Sequence, residues 1–161
     1  MSATTSPARR GARLEQLELD AWRGFLRTHA ALSRELDAEL TAAHGLPLST
    51  YEVLLFLNES ADGAMRMSDL ADSVLLSRSG LTRLVDRLER EGLVQRRACP
   101  GDARGMNAVI TDAGRDSFAQ ARKAHLDGVR RRYLDHLSDE EKELLAGIWD
   151  RMGQGDAGPA C

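Results

Sequence analysis

Between Leu14 and about Ala43 the chain has no proline, and large apolar residues return at helical spacing: Leu14, Leu17, Trp22, Phe25, Leu26, Leu32, Leu36 and Leu40. A stripe that recurs every three or four residues predicts an amphipathic helix. At 1.5 Å per residue it would be about 45 Å long, more than a small domain needs, so part of the stripe is expected to meet another chain. The segment "GLPLS" (45–49) ends it. Ser49 and Glu52 have the spacing of a capping box, and Tyr51, Leu54, Leu55 and Leu57 carry a second helix. After the loop "ADGA" (61–64), residues Met65-Arg66-Met67 allow a single bridging strand. Ser68 is read as the cap of a short third helix reaching Val74 or Leu75, and Ser77 as the cap of a fourth that runs to Glu91, with Gly92 at its end.

The period then changes. "LVQRRAC" (93–99) and "MNAVI" (106–110) are short β-compatible runs, and "PGDARG" (100–105) between them is rich in turn residues. This predicts a β-hairpin with a long exposed tip. Thr111 caps a fifth helix with Phe118, Ala121, His125, Val129 and Leu134 as packing positions. Ser138 opens a last helix with a capping box to Glu141. Its stripe is Leu144, Leu145, Ile148, Trp149 and Met152. The expected fold is mainly α with a small β-hairpin wing: a winged helix-turn-helix at 49–110, flanked by long N- and C-terminal dimerisation helices at 13–48 and 111–152. Residues 1–12 and 153–161, small and polar, read as a flexible arm and tail.

The stretch "LLSRSGLTRLVDRLEREG" (75–92) has two chemically distinct faces. At 100° per residue Leu81, Leu84, Val85 and Leu88 share one side, and Ser79, Arg83, Asp86 and Arg90 share the other, flanked by Thr82 and Arg87. Hydroxyls and guanidinium groups at a helix N-terminus suit phosphates and base edges. Asp86 and Arg90 have the i, i+4 spacing of a local ion pair.

Composition changes this picture in one respect. The net charge is −3, so no basic footprint covers the whole protein. Residues 76–105 nevertheless hold seven arginines against four carboxylates, a local excess of three positive charges. Arginine is the residue suited to forked contacts with guanine and phosphate. Aromatics are only 4%, so the core is expected to be Leu, Ala and Val. Two cysteines, Cys99 and Cys161, make no disulfide framework. No signal-like or membrane-spanning run is seen, which points to a cytoplasmic protein with no membrane partner. No nucleophile elbow, phosphate loop or zinc signature is present, so neither an enzyme nor a cofactor is expected.

Together, "LADSVLLSRSGLTRLVDRLEREGLVQRR", then "PGDARG" and "MNAVITDAGR", between long helices in this order, resemble the MarR family of bacterial transcriptional regulators over about residues 20–152. The resemblance implies a homodimer whose terminal helices interlock and whose two winged domains straddle a pseudo-palindromic double-stranded DNA operator, most often as a repressor. It places the fourth helix in the major groove and the wing arginine, Arg104, in the adjacent minor groove. By position, Ser77, Arg78, Ser79, Thr82, Arg83 and Arg87 become DNA-contact candidates, with Arg78 and Arg87 read as phosphate clamps. Asp102 supports the wing by bracing Arg104. The family's small phenolic or amphipathic effectors imply a crevice for which Trp22, Phe25, His44 and Tyr51 are candidate liners, with core or dimer packing as the alternative. Control by zinc or by oxidation of Cys99, and a protein-interaction module in place of a DNA reader, are the competing readings. The histidines, His29, His44, His125 and His136, are dispersed and name no metal site.

Overall fold

The computed structural model describes residues 13–74, 76–99 and 102–153, without the side chains of residues 103 and 104. The expected arm (1–12) and nearly all of the expected tail (154–161) lie outside the described residues. The order is α1 (Gln16–His44), α2 (Leu48–Glu59), β1 (Ala64–Arg66), α3 (Met67–Ser73), α4 (Arg78–Arg90), β2 (Val94–Cys99), β3 (Asp102–Ile110), α5 (Asp112–Arg132), a 3-10 turn (Leu134–His136) and α6 (Asp139–Gly153). This is the expected winged helix-turn-helix between long helices.

The three strands form one antiparallel sheet in the order β1-β3-β2. The bridging strand is thus present, with Met65 opposite Ala108. The core is leucine-rich, as the low aromatic content predicts. Val53, Leu54, Leu57, Leu70, Leu81, Val85 and Leu88 are completely buried, joined by Val94, Ala108, Ile110 and Phe118 from the sheet and α5. These residues come from α2, α3, α4, the sheet and α5, so α4 is held from behind by the elements around it.

Local chemistry explains most boundaries. Ser77 Oγ accepts the Gly80 N–H at 3.1 Å, and Thr111 Oγ1 accepts the Gly114 N–H at 3.0 Å, as caps should. The Ser138–Glu141 box is complete: the Ser138 N–H donates to Glu141 Oε2 at 2.8 Å and the Glu141 N–H to Ser138 Oγ at 3.2 Å. Gly92, at φ 73°, supplies the left-handed residue that ends the turn after α4. Gly114 lets α5 approach β2, because a Cβ there would fall 2.2 Å from the Leu93 carbonyl.

Four expectations are corrected. Ser49 does not cap α2, which begins one residue before it: Pro47 takes the cap position and the Leu48 N–H donates to Asp37 Oδ1 at 2.8 Å. A carboxylate from α1 has thus replaced the local serine. Ser68 does not cap α3, which begins at Met67; its hydroxyl donates instead to Asp69 Oδ1 at 3.0 Å. The wing tip is shorter than expected, because β3 already starts at Asp102, paired with Cys99. The register shifts between Ala98 and Cys99, so the extra residues are absorbed as an irregularity of the strand. Finally, α5 stops at Arg132 and Leu134 falls in the 3-10 turn.

Candidate nucleic-acid interface

The division of α4 into two faces is present in three dimensions. Leu81, Leu84, Val85 and Leu88 are buried, whereas Arg78, Ser79, Thr82, Arg83, Asp86 and Arg90 are exposed. Ser77 and Ser79 hydroxyls lie 3.3 Å apart at the helix start. The Thr82 hydroxyl donates to the Arg78 carbonyl at 2.8 Å, and the residue stays exposed. Among the described residues Arg78 and Arg83 make no ion pair, so their guanidinium groups present an open pair of positive charges.

Arg87 is placed differently from the other candidates. It is half-buried, and its Nη2 donates at 2.9 Å to Oγ1 of Thr50, itself buried in α2, while Nε lies 3.8 Å from Glu91. This arginine ties α4 to α2. The pairing of Asp86 with Arg90 is corrected too: Arg90 Nε reaches the Asp86 backbone carbonyl at 3.2 Å, and the Asp86 carboxylate is taken by Arg96 at 2.7 Å.

Arg96 was not singled out by the sequence. From β2 it donates to the Glu89 carboxylate, to Asp86 and, at 3.2 Å, to the Thr82 carbonyl, while its own N–H donates to Glu89 at 2.8 Å. The wing is therefore clasped to α4 at three residues spaced over about two turns. The available signal was the i, i+3 pair Asp86 and Glu89 on the helix flank nearest the following strand.

In the wing, Asp102 accepts from Arg66 Nη1 of β1 at 3.2 Å, a partner 36 positions away that the sequence did not indicate. Arg104 lies within β3, and its side chain is outside the described residues. Cys99 is buried, and its thiol donates to Asn107 Oδ1 at 2.9 Å. Among the described residues no group of three or more His, Cys, Asp or Glu is placed to hold a metal.

The four candidate pocket residues do not gather in one place in this chain. Trp22 and Phe25 lie exposed on the outer half of α1, with ring centroids 6.2 Å apart, and Phe25 is 5.7 Å from Trp149 of α6. His44 is exposed in the last turn of α1. Tyr51 is buried in the winged domain, its ring 5.2 Å from Phe118 and 4.3 Å from His125. Beside it a cavity of about 210 Å³ is bounded by Glu52, Leu55, Ser73 and His125, none of them predicted. Burial holds the Tyr51 phenol above its ordinary range and the His125 imidazole below its own. Burial also raises Glu52, with the charge of His29 opposing it. His125 Nδ1 is enclosed and has no hydrogen-bond partner among the described residues.

Comparison with known proteins agrees with this geometry. The model of the MarR family matches residues 44–105, the stretch from the end of α1 to the wing. AbsC, a MarR-family transcriptional regulator from Streptomyces coelicolor, is 33% identical with a TM-score of 0.81, over 89% of this chain and 96% of that one. Sco3205, a MarR-family transcriptional regulator of the same organism crystallised in complex with DNA, is 33% identical with a TM-score of 0.82, over 92% and 96%. The transcriptional regulator MhqR of Bacillus subtilis (strain 168) is 32% identical over 114 residues, 68% of this chain and 74% of its own. The chain belongs to the MarR family. Its relatives named above are transcriptional regulators. Among the described residues no helix is long and apolar enough to cross a membrane.

Proposed function

We propose that this chain is a homodimeric repressor in the cytoplasm that reads a pseudo-palindromic duplex operator and is released by a small amphipathic or phenolic effector. The observation that carries the duplex-binding reading is the outer face of α4: Ser79, Thr82, Arg78 and Arg83 stand exposed beside a wing clasped to the same helix. Two arginines there have no carboxylate partner among the described residues, which suits them to a polyanion. A relative of 33% identity crystallised with DNA supports the same assignment. On this reading Ser79, Thr82 and Arg83 read base edges, Arg78 holds a phosphate, and Arg104 enters a minor groove about 6 Å wide. Asp102 supports the wing from Arg66. Arg87 positions α4 through Thr50.

Homodimerisation is supported by the outer half of α1 and by α6. There Leu17, Trp22, Phe25, Leu26, Leu144 and Trp149 stand exposed in the protomer. A contiguous apolar face of that kind marks a protein interface. Two copies joined through it could hold two α4 helices one DNA turn apart, roughly 34–36 Å. The effector is assigned to the cavity beside Tyr51, where an apolar wall meets Glu52 and His125.

The test is binding of the full chain to the intergenic duplex beside its own gene, followed by fluorescence anisotropy across a salt series. Affinity is expected to fall steeply and linearly in log–log form. Arg104→Ala is expected to weaken binding strongly with an unchanged melting temperature. A chain that binds no duplex even at low salt would be a protein-interaction module instead.

A further inference from the structure

Between the recognition face of α4 and the wing lies an open groove of about 560 Å³. Arg78, Thr82 and Asp86 of α4 line it, as do Asp102 and Met106 of β3, and Arg66 of β1 opens into it as well. If α4 occupies a major groove and the wing the neighbouring minor groove, the sugar–phosphate strand dividing those two grooves must cross this gap. The inference therefore rests on the duplex-binding reading above.

The charges in the groove are unevenly committed. Arg96 is spent on Glu89, Asp86 and the Thr82 carbonyl, and by pairing with Asp86 it removes a carboxylate that would repel a phosphate. Among the described residues Arg66 makes one ion pair, a single 3.2 Å contact from Nη1 to Asp102, and its side chain is 51% exposed. A guanidinium carries five N–H donors in a rigid fork, so one edge can stay on Asp102 while another meets a phosphate. Asp102 then sets the direction of that fork. We infer that this groove seats one backbone phosphate of the bound duplex and that Arg66, oriented by Asp102, is its clamp. Arg66 lies outside both the α4 motif and the wing motif, which is why the sequence did not single it out.

The probe is a duplex selected from a random pool by the full-length wild-type chain, with a scrambled duplex of equal length beside it. Arg66→Ala is expected to weaken both duplexes by a similar factor, about three- to tenfold near physiological salt, and to reduce the slope of log K against log[salt] by about two, one for each protomer of the dimer. Arg66→Lys, which keeps a point charge, is expected to restore most of the slope. Neutral methylphosphonate linkages placed one at a time should reveal one position in each half-site that weakens the wild type and leaves Arg66→Ala unaffected. Melting curves of both variants identify a misfolded protein, and Arg66→Gln replaces Arg66→Ala if the alanine variant melts early. If wild type binds and Arg66→Ala keeps its affinity and slope, the phosphate seat is overturned and the duplex-binding reading stands. If wild type binds no duplex, both fall.

Discussion

The winged domain and the outer ends of the long helices treat their apolar residues in opposite ways. In the winged domain Leu54, Leu57, Leu70, Leu81 and Leu88 have no exposed surface. On α1 and α6, Leu17 is 82% exposed, Leu144 62% and Trp22 53%, although the helical stripes there are just as regular. A stripe shows which side of a helix is to be covered and leaves open what covers it. In the first region the same chain supplies the cover. In the second it supplies half of one, and the other half belongs to a second copy under the proposed assembly.

Breaking each region should have different consequences. The largest effect is expected from Leu54→Ala or Leu81→Ala, which should lose about 2–5 kcal/mol of stability in urea unfolding, because the sealed core cannot collapse around the cavity. A loss below 1 kcal/mol would place that core closer to the surface than it is here. Next, Phe25→Asp or Trp149→Asp should weaken the dimer by about 1.5–3 kcal/mol for each copy of the side chain lost, with the winged domain still folded. Sedimentation equilibrium reads this directly, and unchanged self-association in both variants would remove the α1–α6 face from the interface. Arg83→Ala should cost about 1–3 kcal/mol of discrimination at one base pair, read by competition among operator variants. An equal loss on all sequences would make Arg83 a phosphate contact. Ser77→Ala should cost about 1 kcal/mol by freeing the Gly80 N–H at the start of α4, measured by thermal unfolding.

The smallest effect concerns pH. Burial lowers the His125 pKa in the folded chain below its ordinary value near 6.5, so the unfolded chain binds the proton more readily. Stability from this residue is therefore complete above about pH 7 and declines as pH falls through the unfolded pKa toward the folded one. His125→Phe should flatten the stability profile between about pH 7 and 5, and an unchanged slope there would assign the acid sensitivity elsewhere. Glu52 has the opposite sign: its raised pKa favours the folded state at low pH and loses that contribution as pH rises through the folded value.

What was legible in the amino-acid order was what acts over three or four residues. The apolar face of α4, the Ser77 and Thr111 caps, the Ser138–Glu141 box and the change of period at the hairpin are all short-range patterns, and each appears in the structure. The Ser49 and Ser68 caps have the same local signature and failed, because other elements offered those segments better terms: Asp37 reaches the Leu48 N–H from α1, and Arg66 extends β1 to the very start of α3.

Tertiary structure decided the partners of the long charged side chains. Arg87 bonds Thr50 across 37 positions, Arg66 meets Asp102 across 36, and Arg96 spans about two turns of α4 from another element. A guanidinium on a flexible stem bonds to whichever acceptors the folded elements bring within its reach, and those acceptors leave no periodic trace beside it in sequence. The order of residues by itself determined the helices, the wing and the face α4 turns outward. Packing alone determined which arginines on that surface remain open to a phosphate.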